Sequence, residues 1–377
     1  MTSKERILNA IRGKDVDYVP FITIWNENQK LHERLSWTNE RERLEFAQKM
    51  GWDTFVRVSS IVTPLKELSV TKEIKTVNGA QVLAQTWKTP KVTLYEELNY
   101  TDDWDKSEIS GAYLGLLSDF RPTRYISVPF KTEKDLEALD YIFPIDNPSD
   151  TERLKEHYNQ QRKLADEFNY PLFSYMDSGM DWLIWLYHVE EAIYRAVDQP
   201  EFIQRILDHI NKAKFKRMEL LLELGIDGVQ RRGWYETTDI WNPELLKKFA
   251  WPVLEKEIEA THNAGKVFIY TLDTGIKAIA KDLAAMDIDC MHGLDTLNCD
   301  MSIKEIHKAF PGKALWGGLS AAYDFGADTP EQAKKAVEEA ISVYGKKHLI
   351  LGMAASYRYY YPYENYEAAE STWRRLR

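Results

Sequence analysis

The sequence predicts an α/β fold, a single (β/α)8 barrel of the TIM type spanning residues 1–377. Eight short apolar runs end in polar residues or glycine, as buried strands do where they leave a sheet. Amphipathic helical patterns separate most of these runs, and the repeated alternation favours a barrel over an open sheet. No internal repeat, low-complexity tract or linker interrupts the chain, which indicates one domain.

The predicted elements begin with a helix at residues 2–12. Thr2 and Glu5 have the spacing of a capping box, and Gly13 ends the helical pattern. The eight predicted strands span residues 17–26, 52–60, 171–179, 228–236, 266–275, 288–296, 313–321 and 348–358.

Three long helices are predicted between the later strands. Residues 201–225 are amphipathic, and residues 243–265 form a helix that Pro252 is expected to kink. Residues 329–345 form the third, with Thr329 as its N-cap.

Residues 61–170 are too long for one crossover between strands 2 and 3. Residues 71–98 have the pattern of a β-hairpin around the Asn78–Gly79 turn, and helical patterns follow it. We therefore predict an insertion of a hairpin and helices in one barrel loop, over the mouth of the barrel.

Composition excludes several classes of function. The net charge of −10 argues against binding to a nucleic-acid backbone. No apolar run approaches the roughly 20 residues that span a bilayer, and the N-terminus lacks an apolar signal-peptide core. The only two cysteines, Cys290 and Cys299, are too few for a disulfide framework, which predicts a cytoplasmic protein with free thiols.

Position in a barrel selects the candidate site residues, because chemistry lies at the carboxyl ends of the strands. The predicted catalytic residues are Glu236, Asp273, His292 and Tyr270. The predicted substrate-binding residues are Asn26, Asp177, Arg232, Trp234, Tyr235, Arg358 and Tyr359.

Glu236 and Asp273 would follow neighbouring strands. Two close carboxylates push their pKa values apart, which suits general acid–base catalysis or a hard metal. The alternative is that Arg231 or Arg232 pairs with one of them and only stabilises the barrel.

A displaced zinc site is a second hypothesis. Cys290 and His292 lie two apart on one strand and so face the same side, and Asp273 and Glu236 would come from adjacent strands. Cys299 follows in the next loop. The alternative is that Cys290 is a core residue and His292 a hydrogen-bonded pocket residue.

Two further segments can be interpreted either as ligand-binding or as structural. Arg358 lies among tyrosines in SYRYYYPY, which suits an aromatic or anionic ligand but equally a packed loop or a dimer contact. Asp177 and Asp181 lie four apart in YMDSGMDW, where Asp181 is expected to cap a helix N-terminus.

Four stretches resemble the uroporphyrinogen decarboxylase superfamily. They are ERILNAIRGKDVDYVP, DGVQRRGWYETTDIWNPELLKKFAWPVL, ALWGGLSA followed by TPEQAKKAV, and YPYENYEAA, in the family's order. The resemblance implies a single (β/α)8 barrel and a homodimer. It also implies one of two chemistries, cofactor-free decarboxylation of uroporphyrinogen or zinc-assisted methyl transfer involving corrinoid proteins.

The residues that carry either chemistry in the family are replaced here. Leu272, Thr274 and Ala355 stand where the methyltransferases have their zinc-binding histidine and two cysteines. The decarboxylases have an arginine-rich segment after the first strand and an aspartate after the second, where this chain has WNENQKLHER and Ser60.

We therefore expect a barrel enzyme that transfers a methyl group from a small methylated or methoxylated compound to a corrinoid on a partner protein, with zinc, if used, at a non-standard site. The alternatives are a cofactor-free decarboxylase of a tetrapyrrole or another carboxylate, held by Arg232 and Arg358, and a non-catalytic ligand-binding relative.

Overall fold

A curled sheet of eight parallel strands forms the centre of the protein. The computed structural model describes residues 1–23, 29–32, 35–103, 115–116, 121–353 and 360–377. The strands, in chain order, are β1 (Phe21–Ile22), β2 (Gln29–His32), β3 (Leu35–Trp37), β4 (Val56–Ser59), β5 (Ser69–Val77), β6 (Ala80–Lys88), β7 (Thr93–Asn99), β8 (Tyr125–Ser127), β9 (Leu172–Met176), β10 (Gly228–Arg232), β11 (Val267–Thr271), β12 (Cys290–His292), β13 (Ala314–Leu319) and β14 (Leu349–Met353).

Helices connect most of the central strands. They are α1 (Ser3–Ile11), α2 (Glu40–Met50), α3 (Leu139–Ile142), α4 (Pro148–Phe168), α5 (Asp181–Leu186), α6 (Val189–Asp198), α7 (Pro200–Leu224), α8 (Pro243–Phe249), α9 (Trp251–Asn263), α10 (Ala280–Ala285), α11 (Ile303–Ala309), α12 (Pro330–Tyr344) and α13 (Tyr363–Leu376).

The order of the central strands is consistent with the predicted TIM-type barrel. The order is β1-β14-β13-β12-β11-β10-β9-β4, and every neighbouring pair is parallel. From β4 through β14, consecutive central strands lie side by side, and β1 pairs with β14, so that β1 and β4 are at the two ends of the sheet. None of the helices in the described ranges is both long and apolar enough to cross a membrane.

Between β4 and β9 the chain forms a separate antiparallel sheet, β5-β6-β7-β8. Strands β5 and β6 meet at Asn78 and Gly79, whose φ angles of 51° and 81° are both positive. Asn-Gly is the pair that best tolerates two left-handed residues in a tight hairpin turn. Helices α3 and α4 follow this sheet and lead into β9.

The central sheet buries both of its faces. Residues of the inner face form one apolar cluster, which includes Ile22, Phe55, Phe173, Val267, Ile269, Cys290, Ala314, Trp316 and Ile350. Residues of the outer face belong to the cluster shared with the helices, among them Val229, Phe268, Tyr270, Met291 and Leu315. Side chains alternate between the two faces of a strand, so sequence position decides which layer each one enters.

Two helical details differ from the sequence prediction. Residues 243–265 form two helices separated at Ala250, and Pro252 lies in the first turn of the second, where proline is tolerated. Thr329 is the N-cap of α12, but its side chain makes no capping hydrogen bond. The capping box of Thr2 and Glu5 is present as predicted.

Candidate active site

The carboxyl ends of the central strands bring several inward-facing polar side chains together. In the register of the sheet, Arg232 pairs with Thr271, and Thr271 pairs with His292. Tyr175 of β9 and Arg57 of β4 face the same side, with the Arg57 guanidinium 4.4 Å from the centre of the Tyr175 ring. These residues form the wall of the candidate site, which we call the barrel mouth.

His292 is a buried, neutral residue of this wall. Its Nδ1 lies 3.0 Å from Oγ1 of Thr271 and 3.2 Å from Nε2 of Gln230, and its ring centre lies 4.5 Å from that of Trp316. Burial, and after it the positive charge of Arg57, lower the pKa of His292 to about 3. The imidazole can therefore orient a ligand by hydrogen bonding, but it carries no charge near neutral pH.

We expect the His292 ring to stay neutral from pH 5 to pH 8. Its pKa of about 3 lies below this window, so its NMR ring signals should not shift with pH. Signals can be assigned by comparing the spectra of the wild-type protein with those of a His292→Gln variant over the same pH range. An inflection of the His292 signals above pH 5 would contradict this description.

Asp273 is a titratable group at the rim with a raised pKa, as is Asp181. Burial, and after it the nearby charge of Asp295, raise the pKa of Asp273 to about 7. Its Oδ1 is buried and has no hydrogen-bond partner among the described residues. Asp295 is different, because its carboxylate accepts hydrogen bonds from Leu297 N, Asn298 N and Ser320 Oγ at 2.8–3.1 Å. Asp273 thus keeps its proton up to about neutral pH, beside the hydrogen-bonded side chain of Asp295.

The structure does not pair Glu236 with Asp273, which corrects the predicted carboxylate pair. Glu236 accepts hydrogen bonds from the Arg231 guanidinium, from the Tyr270 hydroxyl at 2.5 Å and from Met180 N at 2.7 Å. All of these side chains are fully buried on the outer face of the sheet. Tyr270 lies between Ile269 and Thr271 on β11, so it faces the helices rather than the mouth.

Glu257 of α9 completes this outer cluster. Its Oε2 lies 3.3 Å from Nε of Arg231, and its Oε1 accepts a hydrogen bond from Ser178 Oγ at 2.5 Å. Burial raises the pKa of Tyr270 well above its usual range, as does the charge of Glu236. The sequence alternative, in which Arg231 neutralises Glu236 and stabilises the barrel, describes what the structure contains.

The predicted zinc quartet is not assembled. Within the described ranges, no three His, Cys, Asp or Glu side chains converge closely enough to hold a metal ion. Cys290 belongs to the inner apolar cluster, and burial raises the pKa of its thiol. Burial also raises the pKa of Cys299 to about 11. A cysteine must be a thiolate to bind zinc, and the surroundings of Cys290 and Cys299 both favour the neutral thiol instead.

The family's own zinc positions also fail to supply ligands. Leu272 is apolar and fully buried, and Thr274 Oγ1 donates a hydrogen bond to Asp239. Ala355 lies outside the described residues. The residues present therefore do not fit that zinc site.

The predicted substrate-binding residues fall into three groups. Arg232 and Trp234 lie at the mouth, and the Tyr235 ring is 5.7 Å from that of Trp185. Asp177 is instead paired with the buried Lys214, whose Nζ donates to both carboxylate oxygens at 2.7 and 2.8 Å. Three residues lie outside the described ranges: Asn26, Arg358 and Tyr359.

Sequence reasoning missed three residues of the mouth, Arg57, Tyr175 and Trp185, and it predicted a helix cap at Asp181. The alternation of β4 and β9 could have placed Arg57 and Tyr175 on the inner face. Asp181 is the first residue of α5, but its carboxylate does not cap that helix. It accepts hydrogen bonds from Trp234 N at 3.2 Å and Tyr235 N at 2.9 Å, and so fixes the loop after β10.

A curled parallel α/β sheet with polar groups at its carboxyl end is the architecture expected of a TIM-type barrel. The sequence model described as "Uroporphyrinogen decarboxylase (URO-D)" matches residues 111–376, well over half of the chain. The chain belongs to the uroporphyrinogen decarboxylase family.

A solved structure shares this fold. A methyltransferase from Methanosarcina mazei is 16% identical, and the match covers 100% of this chain and 99% of that chain with a TM-score of 0.59. A B12-independent methionine synthase from Shewanella sp. W3-18-1 is 14% identical over 58% of this chain and 66% of its own, with a TM-score of 0.42. No curated protein sequence matches the chain.

Proposed function

We propose that the protein transfers a methyl group from a small methylated or methoxylated compound to a corrinoid carried by a partner protein. The observation that carries this proposal is Asp273, a half-buried carboxyl group at the rim whose pKa is raised to about 7. Its unpartnered Oδ1 leaves room for a substrate hydrogen bond among the described residues. The family and the shared fold with a methyltransferase support the same chemistry.

A methoxy group is a poor methyl donor because the departing oxygen would leave as an anion. A protonated Asp273 can donate its proton to that oxygen while the carbon–oxygen bond breaks and the bonding electrons stay on the oxygen. The corrinoid, when present, supplies the electron pair that accepts the methyl group. The products are a hydroxyl compound, the methylated acceptor and an ionised Asp273, which must take up a proton before the next turnover.

Decarboxylation is the second candidate, and Arg232 favours it. This guanidinium could hold a substrate carboxylate, and Asp273 could protonate the carbon that loses carbon dioxide. No metal would be required.

The two reactions can be separated with one substrate. Purified protein would be mixed anaerobically with 4-methoxybenzoate and free cobalamin reduced to the cobalt(I) state. Methyl transfer predicts 4-hydroxybenzoate, while decarboxylation predicts methoxybenzene and carbon dioxide. A panel that includes methoxybenzene and methanol widens the test, and an Asp273→Asn variant is the matched control. Carbon dioxide release with the methyl group retained would replace the proposal by the second candidate.

A further inference from the structure

Arg232 is a cation surrounded by aromatic rings, and the carboxylate of Asp181 lies at ion-pair distance from it but beyond hydrogen-bond distance. Its guanidinium carbon lies 4.1 Å from the centre of the Trp185 ring, 5.2 Å from Trp234 and 5.7 Å from Tyr175. Only 12% of the side chain is exposed. Ring faces attract a cation without using its N–H donors. Its charge is therefore stabilised while its hydrogen-bonding capacity is kept.

Two of these donors have no partner. Nε and Nη2 of Arg232 are buried without a hydrogen bond within the described part of the chain, although the guanidinium also interacts with Tyr175. The carboxylate oxygen nearest to it, Oδ2 of Asp181, lies 3.7 Å from Nε, beyond hydrogen-bond distance. Both Asp181 oxygens already accept backbone hydrogen bonds.

The neighbouring arginine shows what a purely structural guanidinium looks like in this protein. Arg231 is fully buried, bonded to both oxygens of Glu236 and within 3.3 Å of Glu257. Leaving a buried donor unsatisfied is costly, so a protein that only needed packing would be expected to pair Arg232 in the same way. The unused donors of Arg232 therefore indicate a ligand.

A second cation faces the same space. The half-buried Arg57 lies over the Tyr175 ring, which Arg232 approaches as well. Two positive charges beside one phenol ring raise the local potential and favour an anion over a neutral ligand. The rings of Trp185 and Trp234 supply apolar walls beside this charge.

We propose that Arg232, supported by the charge of Arg57, is the subsite for the carboxylate of a flat apolar substrate whose body packs beside Trp185 and Trp234. The proposal rests on the proposed function in taking the barrel mouth as the active site. The subsite implies that the methylated substrate is planar and carries a carboxylate. This carboxylate binds to the protein and does not take part in the reaction.

Binding of benzoate and its uncharged analogue benzamide tests this subsite without turnover. Calorimetric titration of the wild-type protein should give roughly tenfold to a hundredfold tighter binding of benzoate, as expected for a charge-assisted hydrogen bond. Arg232→Gln should remove this preference. Arg232→Lys should keep part of it, because the charge remains but the two-donor fork is lost. The matched control is Arg375→Gln, since Arg375 is 60% exposed and paired with Glu338.

Equal affinity of the wild-type protein for the two compounds would overturn the proposal, as would an unchanged benzoate preference in Arg232→Gln. The wild-type comparison decides the matter even if a variant fails to fold. A benzoate preference without methyl transfer would keep the subsite and remove the proposed reaction. Methyl transfer from methoxybenzene with no benzoate preference would keep the reaction and remove the subsite.

Discussion

Replacing Glu236 with glutamine is expected to destabilise the protein strongly, by roughly 3 kcal/mol, because a buried ion pair loses one partner. Arg231 would keep its charge in a fully buried site, where Glu257, at 3.3 Å, would be its remaining ion-pair partner among the described residues. The Tyr270 hydroxyl would also lose its carboxylate acceptor.

Urea unfolding measures this effect as a lower transition midpoint with an unchanged slope. Glu244→Gln is the matched control, because the Glu244 side chain is 83% exposed and its ion pair with Lys247 lies at the surface. Surface pairs of this kind contribute at most about 1 kcal/mol. Full stability of Glu236→Gln with loss of turnover would instead return Glu236 to a catalytic role.

The sequence could not predict that Glu236 and Asp273 lie in different surroundings. Both follow predicted strands, so position alone made them equivalent. The alternation of side chains along β11 predicts part of the difference, since Tyr270, which contacts Glu236, faces outward while Thr271 faces the mouth. Glu236 follows a turn after β10, and the face that a side chain reaches after a turn depends on backbone geometry that no periodicity encodes.

The strand count, the helix starts and the loss of the zinc ligands at Leu272 and Thr274 were all readable from the sequence. The surroundings of Arg232 could not be predicted from the sequence. Tyr175, Trp185 and Trp234 come from a strand, a helix and a loop, and no local pattern connects them. The raised pKa of Asp273 likewise depends on burial and on Asp295 of the next strand, which only the assembled sheet provides.

Replacing Asp273 with asparagine should lower the rate of methyl transfer by roughly 10²- to 10⁴-fold, as expected when a general acid is removed. The wild-type rate should be highest below about pH 7 and fall as the pH rises through this value, because the carboxyl group must be protonated to donate. The residual rate of the variant should not show this fall. Asp300→Asn, at a side chain that is 88% exposed, should leave both the rate and its pH profile unchanged.

The Asp273→Asn substitution should lower the rate of methyl transfer but raise the free energy of unfolding at high pH. The folded protein keeps the Asp273 proton up to about pH 7, while the unfolded chain releases it near the ordinary value of 3.8. Ionisation therefore favours the unfolded state increasingly as the pH rises from about 4 to 7, and the cost persists above that. Asp273→Asn removes this cost, so at pH 8 the variant should be more stable than the wild type, by at most about 4 kcal/mol. A variant that is both more stable and inactive would show that the lost activity reflects lost chemistry and not a damaged fold, whereas lower stability at pH 8 would mean that Asp273 is ionised and paired in the folded protein.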